Sequence, residues 1–289
     1  MTSLGSIRNA DLHFEGHGEF AWGTKFVLVA ARSPRPDTRI ILDIEAVDRP
    51  GTEAAVAMTC FRRLAPVVPG AQGVVYDTAL RGVHHQELLR ELGLLPINRV
   101  TAAIKGASTP RRKDGRRVAK SVYVEDKVVQ SKGKNLTVPL YAQDGALGVT
   151  ELDDRGTARF EALPRIRTHR IRDKGGRFQW YNDYRLPARL GGSTITVRLH
   201  GNEQDRTRKL NRTENVRPIP SPDPDFKRLY ARRNDSESIN RHLEDTLFLG
   251  RAHSVGRARQ HVDLLGYALM VNGLTLLRHR RRAALPVVA

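Results

Sequence analysis

Residues 24–47 read TKFVLVAARSPRPDTRIILDIEAV. TKFVLVAA (24–31) and RIILDIEAV (39–47) are rich in β-branched and apolar residues, and the turn-formers SPRPDT lie between them. That spacing predicts a β-hairpin. After Arg49-Pro50-Gly51, TEAAVAMTCFRRLAPVV (52–68) predicts a helix capped by Thr52 and broken at Pro69-Gly70. AQGVVYD (71–77) predicts a short buried strand ending in an acid, Asp77. VHHQELLRELGLL (83–95) predicts an amphipathic helix closed near Gly93, and Asn98 to Thr101 begin one more strand. Strand, strand, helix, strand, helix, strand is an α/β order around one central sheet.

Past residue 104 the pattern changes. KGASTPRRKDGRRVAKSVYVEDKVVQSKGK (105–134) has few core residues and many cations, which predicts an exposed, mobile, positive segment. LTVPLYA, ALGVTEL, ARFEAL, FQWYNDYRL and STITVRLH, between residues 136 and 200, predict an antiparallel β subdomain with Gly-containing turns. Residues 201–229 are polar and proline-rich and read as a linker. Two helices follow, over 236–248 and about 255–278, with LRHRRR as a basic end.

The 289 residues carry a formal charge of +18 and are 39% hydrophobic. That is enough apolar residue for a core, and the pI near 10.7 points to a polyanionic partner such as nucleic acid. A single cysteine, Cys60, excludes an intramolecular disulfide framework and a four-Cys zinc site, and fits a reducing compartment. MTSLGSIRNADLHFEG (1–16) has no signal-peptide core. VDLLGYALMVNGLTLL (262–277) is short and contains Asp263 and Asn272, so it reads as a buried helix and no membrane partner is expected.

YARRNDSESINRHLE (230–244) predicts a helix start, with Asp235 or Ser236 as cap and Ile239, Leu243 and Leu247 as an apolar stripe. Glu237, Asn240, Arg241 and Glu244 form a polar face, for which an ordinary solvated surface is a sufficient account. Asp77 stands at a strand end, where α/β sheets place chemistry, and a turn-forming Asp accounts for the position equally. Carboxylates from separate elements suit metal-dependent phosphodiester chemistry, because Mg2+ takes hard oxygen ligands.

YARRNDSESIN further resembles the third-acid signature of insertion-sequence DDE transposases. There a Tyr stands seven residues, and an Arg four residues, before the catalytic Glu. Tyr230, Arg233 and Glu237 keep that spacing. A Lys seven residues after the Glu completes the signature, but Glu244 stands there instead, leaving Arg241 or Arg251 for a phosphate contact. GVVYDTALRG (73–82) resembles the strand with the family's second Asp, and GRARQHVDLLGYALMVNGLTLLRH (256–279) its helical end. The resemblance spans about residues 11–278.

It implies a ribonuclease-H-like mixed sheet with helices, interrupted by an antiparallel β-rich insertion. The first part of the core would be 1–104, the basic insertion and linker 105–229, and the helical remainder 230–289. It implies a catalytic site of Asp11, Asp77 and Glu237 with Tyr230 and Arg233, the three acids holding Mg2+ or Mn2+. Asp11 has the order of the family's first acid, and Asp43 is the disfavoured alternative. WGTKF (22–26) resembles the segment after that first acid, so the true one is expected either at Asp11 or upstream of Met1. In the latter case the chain would be a truncated or domesticated transposase that only binds DNA. The implied partners are duplex DNA, as element ends and target, and a second copy in a homodimer, in a cytoplasmic, nucleoid-associated location. An RNA-binding basic protein is the remaining alternative.

The cations expected on DNA are Lys105, Arg111, Arg112, Lys113, Arg116, Arg117, Lys120, Arg170, Arg172, Lys174, Arg177 and Arg241. Trp180 and Tyr181 are candidates for stacking on exposed bases, with an ordinary β core as the alternative for Trp180. His84, His85 and Glu87 read as a helix face rather than a zinc site, Cys60 as a buried small residue, and Gly16, Gly18 and Gly23 as turn positions without a phosphate-loop motif.

Overall fold

The computed structural model describes residues 11–16, 19–35, 38–100, 121–131, 133–152, 158–249 and 252–283. It is a mixed α/β protein of several sheets and helices. It divides into two compact units, residues 1–69 with 232–289, and residues 70–231.

The first unit begins with an antiparallel ribbon of β1 (Asp11–Gly16) and β2 (Glu19–Gly23). β3 (Lys25–Ala31) and β4 (Ile40–Val47) form the expected hairpin, paired from Lys25↔Val47 to Ala31↔Ile40. Helix α1 (Glu53–Leu64) packs on this pair and buries Ala57, Met58, Cys60 and Phe61. Thr52 does not cap it. Its hydroxyl donates to Arg49 O within the preceding turn.

In the second unit, β5 (Gly73–Val75) pairs in parallel with β6 (Leu95–Ile97). The last strand of the α/β run is therefore Leu95–Ile97, and Asn98 lies just beyond it, because a parallel pair needs apolar residues on both faces. Helix α2 (Gly82–Glu87) passes into a π-helical turn, Leu88–Leu92, and stops at left-handed Gly93, φ 66°, as expected. The four strands expected in one central sheet are two ladders, β3–β4 in one unit and β5–β6 in the other.

Next come β7 (Val122–Ser131), β8 (Lys134–Gln143), β9 (Ala146–Leu152) and β10 (Ala158–Ala162), a four-stranded antiparallel meander. β11 (Arg165–Arg172), β12 (Phe178–Arg185) and β13 (Thr194–Arg198) form a second, three-stranded sheet. β7 corrects the expectation that residues up to 134 are exposed and mobile. Val124 and Val129 of β7 are buried with Leu89 and Trp180 in the core shared by both sheets. The core of the β-rich part is thus continuous with the helical turn at Leu89.

Residues 201–229 are not a linker either. They form α3 (Glu203–Thr207), α4 (Arg212–Asn215) and α5 (Pro224–Tyr230). Asp205, Arg212 and Arg217 are each only 1% exposed. Arg212 grips Asp205 with two hydrogen bonds, 2.8 and 2.9 Å, and reaches Glu125 of β7 at 2.9 Å. Buried charges are tolerated when paired in this way.

The chain then returns to the first unit through α6 (Asn234–Leu243), a π-helical turn (Glu244–Phe248) and α7 (Arg257–Ala283). Ile239, Leu243, Leu264, Tyr267 and Ala268 close a core over Ile41 and Ile44, with Leu247 at its margin. The expected apolar stripe is present, but neither Asp235 nor Ser236 caps α6. The helix begins at Asn234 straight out of a 3-10 turn, and Asp235 instead pairs with Arg32. On α7, Asn272 donates to Ile41 O (2.7 Å) and accepts from Ile41 N (2.8 Å), standing in for a strand neighbour. Among the described residues no helix is long and apolar enough to cross a membrane.

Candidate nucleic-acid-processing site

Asp77 lies two residues beyond β5, at the carboxyl end of the parallel pair. The ladder register Val75↔Ile97 is extended by Tyr76 N–H donating to Ile97 O at 3.2 Å. One Asp77 carboxylate oxygen accepts the Ala79 N–H at 2.8 Å, so the residue does form a turn. Asn98, 2% exposed, leaves the end of β6 and donates its amide to Asp77 O and Leu80 O, both at 3.3 Å. The loop carrying Asp77 is thereby tied to the neighbouring strand.

Tyr230 ends α5. Its ring stacks on Phe226, centroids 5.0 Å apart and planes 14° off parallel, in a cluster with Val75 and Ile97. Strand β5 and the signature Tyr therefore share one small core. The Arg99 guanidinium lies over the Tyr230 ring, 5.1 Å from its centroid. The sequence marks Asn98 and Arg99 only as the start of a strand. The signal available for them is two polar residues directly after the apolar run LPI.

Arg233 and Glu237 are brought together in the first unit. Arg233 donates to Glu237 one turn along the helix, with the Glu side chain 57% exposed. Ile239 and Leu243 point to the core, so Glu237, Arg241 and Glu244 occupy the outer face. Arg251 lies outside the described residues. Asp11 opens β1 opposite Gly23. Asp43 is engaged elsewhere: Arg63 of α1 donates to both its oxygens, at 2.9 and 2.7 Å, and to Glu45 at 2.9 Å. Among the described residues no group of three His, Cys, Asp or Glu side chains is arranged to hold a metal ion.

The histidines have structural roles. His85 is fully buried against Arg217, and burial together with the Arg217 charge pushes its pKa down to about 2, which keeps it neutral. His84 accepts the Arg81 N–H at 3.1 Å. Cys60 is buried as expected, and burial with the Asp43 charge raises its thiol pKa to about 11.

Of the expected DNA-contacting cations, Lys105, Arg111, Arg112, Lys113, Arg116, Arg117 and Lys120 lie outside the described residues. Arg170 donates to Gly93 O and sits 4.6 Å from the Phe178 centroid, with Arg172 at 4.7 Å from the same ring. Arg177 pairs with Glu91 at 3.3 Å, and Lys174 is exposed. Trp180 is core, not a base-stacking platform: it is 5% exposed and its indole N–H donates to Leu89 O at 2.8 Å. Tyr181 stacks on His169, centroids 5.6 Å apart.

In comparisons with known proteins, no family model, no curated protein and no solved structure matches this chain.

Proposed function

We propose that this protein is a DNA transposase that cuts and joins phosphodiester bonds at element ends. The observation that supports it most is that Tyr230, first residue of the Tyr230–Arg233–Glu237 spacing, and Val75, two residues before Asp77, pack against the same small core of Ile97, Ile219 and Phe226. Two segments marked separately in the sequence thus share one small core, and Asp77 stands just past the carboxyl end of the parallel pair, where α/β proteins commonly place their ligands.

Asp77 and Glu237 would serve with Asp11 as hard carboxylate ligands for Mg2+ or Mn2+. The bound metal would activate the attacking oxygen and stabilise the leaving one. Asn98 holds the Asp77 loop in place for this task. Arg233 fixes the Glu237 side chain against one turn of helix. Lys174, Arg172 and Arg241 offer exposed cations for duplex phosphates, in keeping with a net charge of +18.

The test is incubation with DNA carrying the element ends and Mg2+ or Mn2+. Wild-type protein should nick or join it. Asp77→Asn, Glu237→Gln and Asp11→Asn should each abolish the reaction while DNA affinity stays within about twofold of wild type, whereas Asp43→Asn should not. Full cleavage by Asp77→Asn would refute the assignment. A second proposal, a DNA-binding protein without cleavage, is favoured by the acidic Glu244 on the outer face of the same helical stretch as Glu237. Binding without cleavage, restored by Glu244→Lys, would locate the defect there.

A further inference from the structure

Arg99 offers an exposed guanidinium that forms no ion pair among the described residues. It directly follows Asn98, whose amide donates to Asp77 O and Leu80 O at 3.3 Å, so it stands one residue beyond the tie to the Asp77 loop. Arg99 is exposed, while its neighbour Asn98 is buried and bonded to the carbonyls of the Asp77 loop. The Arg99 guanidinium rests on the Tyr230 ring. Phe226 stacks on that ring, which packs against the cluster of Ile97, Ile219 and Phe226. A guanidinium over an aromatic face keeps N–H groups available for an anion, and an arginine edge matches two phosphate oxygens at once.

We infer that Arg99, seated on Tyr230, binds a phosphodiester group of the DNA strand brought to Asp77. The ligand chemistry is a phosphate oxyanion within a polynucleotide. The residue takes no part in proton or metal chemistry: it positions the phosphate against the carboxyl edge of β5–β6. Tyr230 then acts through Arg99, as the surface that orients it. The inference rests on the proposed role of Asp77 as part of a strand-cutting site, but the two can fail separately.

The experiment is arginine modification of the full chain with p-hydroxyphenylglyoxal, read at Arg99 by peptide mass spectrometry. A random-sequence duplex of about 30 base pairs should slow modification of Arg99 several-fold at constant ionic strength, in wild type and in Asp77→Asn alike. Inorganic phosphate at the same ionic strength should slow it far less. An unchanged rate at Arg99 under saturating duplex would overturn the inference, as would protection by phosphate alone. Arg99→Gln should weaken duplex binding about tenfold, the usual scale for a charge-assisted contact, and lower the salt slope by about one. Tyr230→Phe should keep the affinity and Tyr230→Leu should lose it, which separates an orienting ring from a reacting hydroxyl. If DNA protects Arg99 but wild type never cuts element ends, the phosphate site stands and the transposase proposal falls. If wild type cuts and Arg99→Gln cuts with unchanged KM and kcat, the phosphate site falls and the transposase proposal stands.

Discussion

Replacing Arg212 with Met removes a guanidinium while keeping most of its volume. The wild-type side chain is 1% exposed and binds Asp205 through two hydrogen bonds and Glu125 through a third. Breaking a buried pair costs about 3–5 kcal/mol. Arg198 and Arg208 still donate to Asp205, at 3.0 and 3.2 Å, so the lower end applies, about 3 kcal/mol. For a unit of this size that corresponds to a fall in Tm of roughly 6–12 °C. The loss should also depend on pH. Burial pushes the Asp205 carboxyl up, but hydrogen bonds from Arg212 and the charges of Arg212 and Arg198 outweigh it and hold the pKa at about 2. A carboxyl depressed on folding stabilises the native state above its unfolded pKa, near 3.9, and that stabilisation is lost as pH falls towards 2. Without Arg212 the carboxyl should titrate closer to its ordinary value. The stability gap between wild type and Arg212→Met should then narrow by about 1 kcal/mol between pH 7 and pH 3. Urea unfolding followed by Trp180 fluorescence measures both quantities. A gap below about 1 kcal/mol at pH 7, against the roughly 3 kcal/mol that breaking a buried ion pair should cost, would refute the buried network and return residues 201–229 to the role of a linker.

Leu264→Ala on the inner face of α7 should cost about 2–4 kcal/mol, whereas Leu269→Ala, 74% exposed, should stay within about 0.5 kcal/mol of wild type in thermal unfolding. Asn272→Leu strands both backbone groups of Ile41 and should destabilise by about 2–4 kcal/mol in the same assay; a neutral result would show that α7 does not shield β4. Trp180→Phe should cost about 2 kcal/mol through the lost bond to Leu89 O yet leave DNA affinity unchanged, and a fall in affinity at equal stability would reinstate Trp180 as a DNA contact. Neutralising Arg172 and Lys174 together should lower the slope of log affinity against log salt by about two, as measured by fluorescence anisotropy with duplex DNA.

By itself the sequence determined the elements whose apolar period is strong: the hairpin at 24–47, the helix ending at Gly93, most of the β strands between 136 and 200, and the stripe Ile239–Leu243–Leu247. Local patterning suffices there, because each segment must bury one face wherever it ends up. It also showed the strong positive charge, set Asp77 at the end of an apolar strand, and marked Tyr230 and Glu237 through their resemblance to the transposase signature. Tertiary structure decided what composition disguises. Asp205, Arg212 and Arg217 look like surface in a list of residue types, yet they are core, since a paired charge is buried at tolerable cost and its partner, such as Glu125, lies 87 residues away. Strand β7 hid in a basic stretch because only Val124 and Val129 needed to face inward. Trp180 became core rather than a platform because Leu89 supplies an acceptor from a distant helical turn. Asn98 came to hold the Asp77 loop, and Arg99 to lie over the Tyr230 ring, only through the tertiary fold. A one-dimensional pattern records which face of an element is apolar; it does not record which partner that face, or a charge on the other one, will meet.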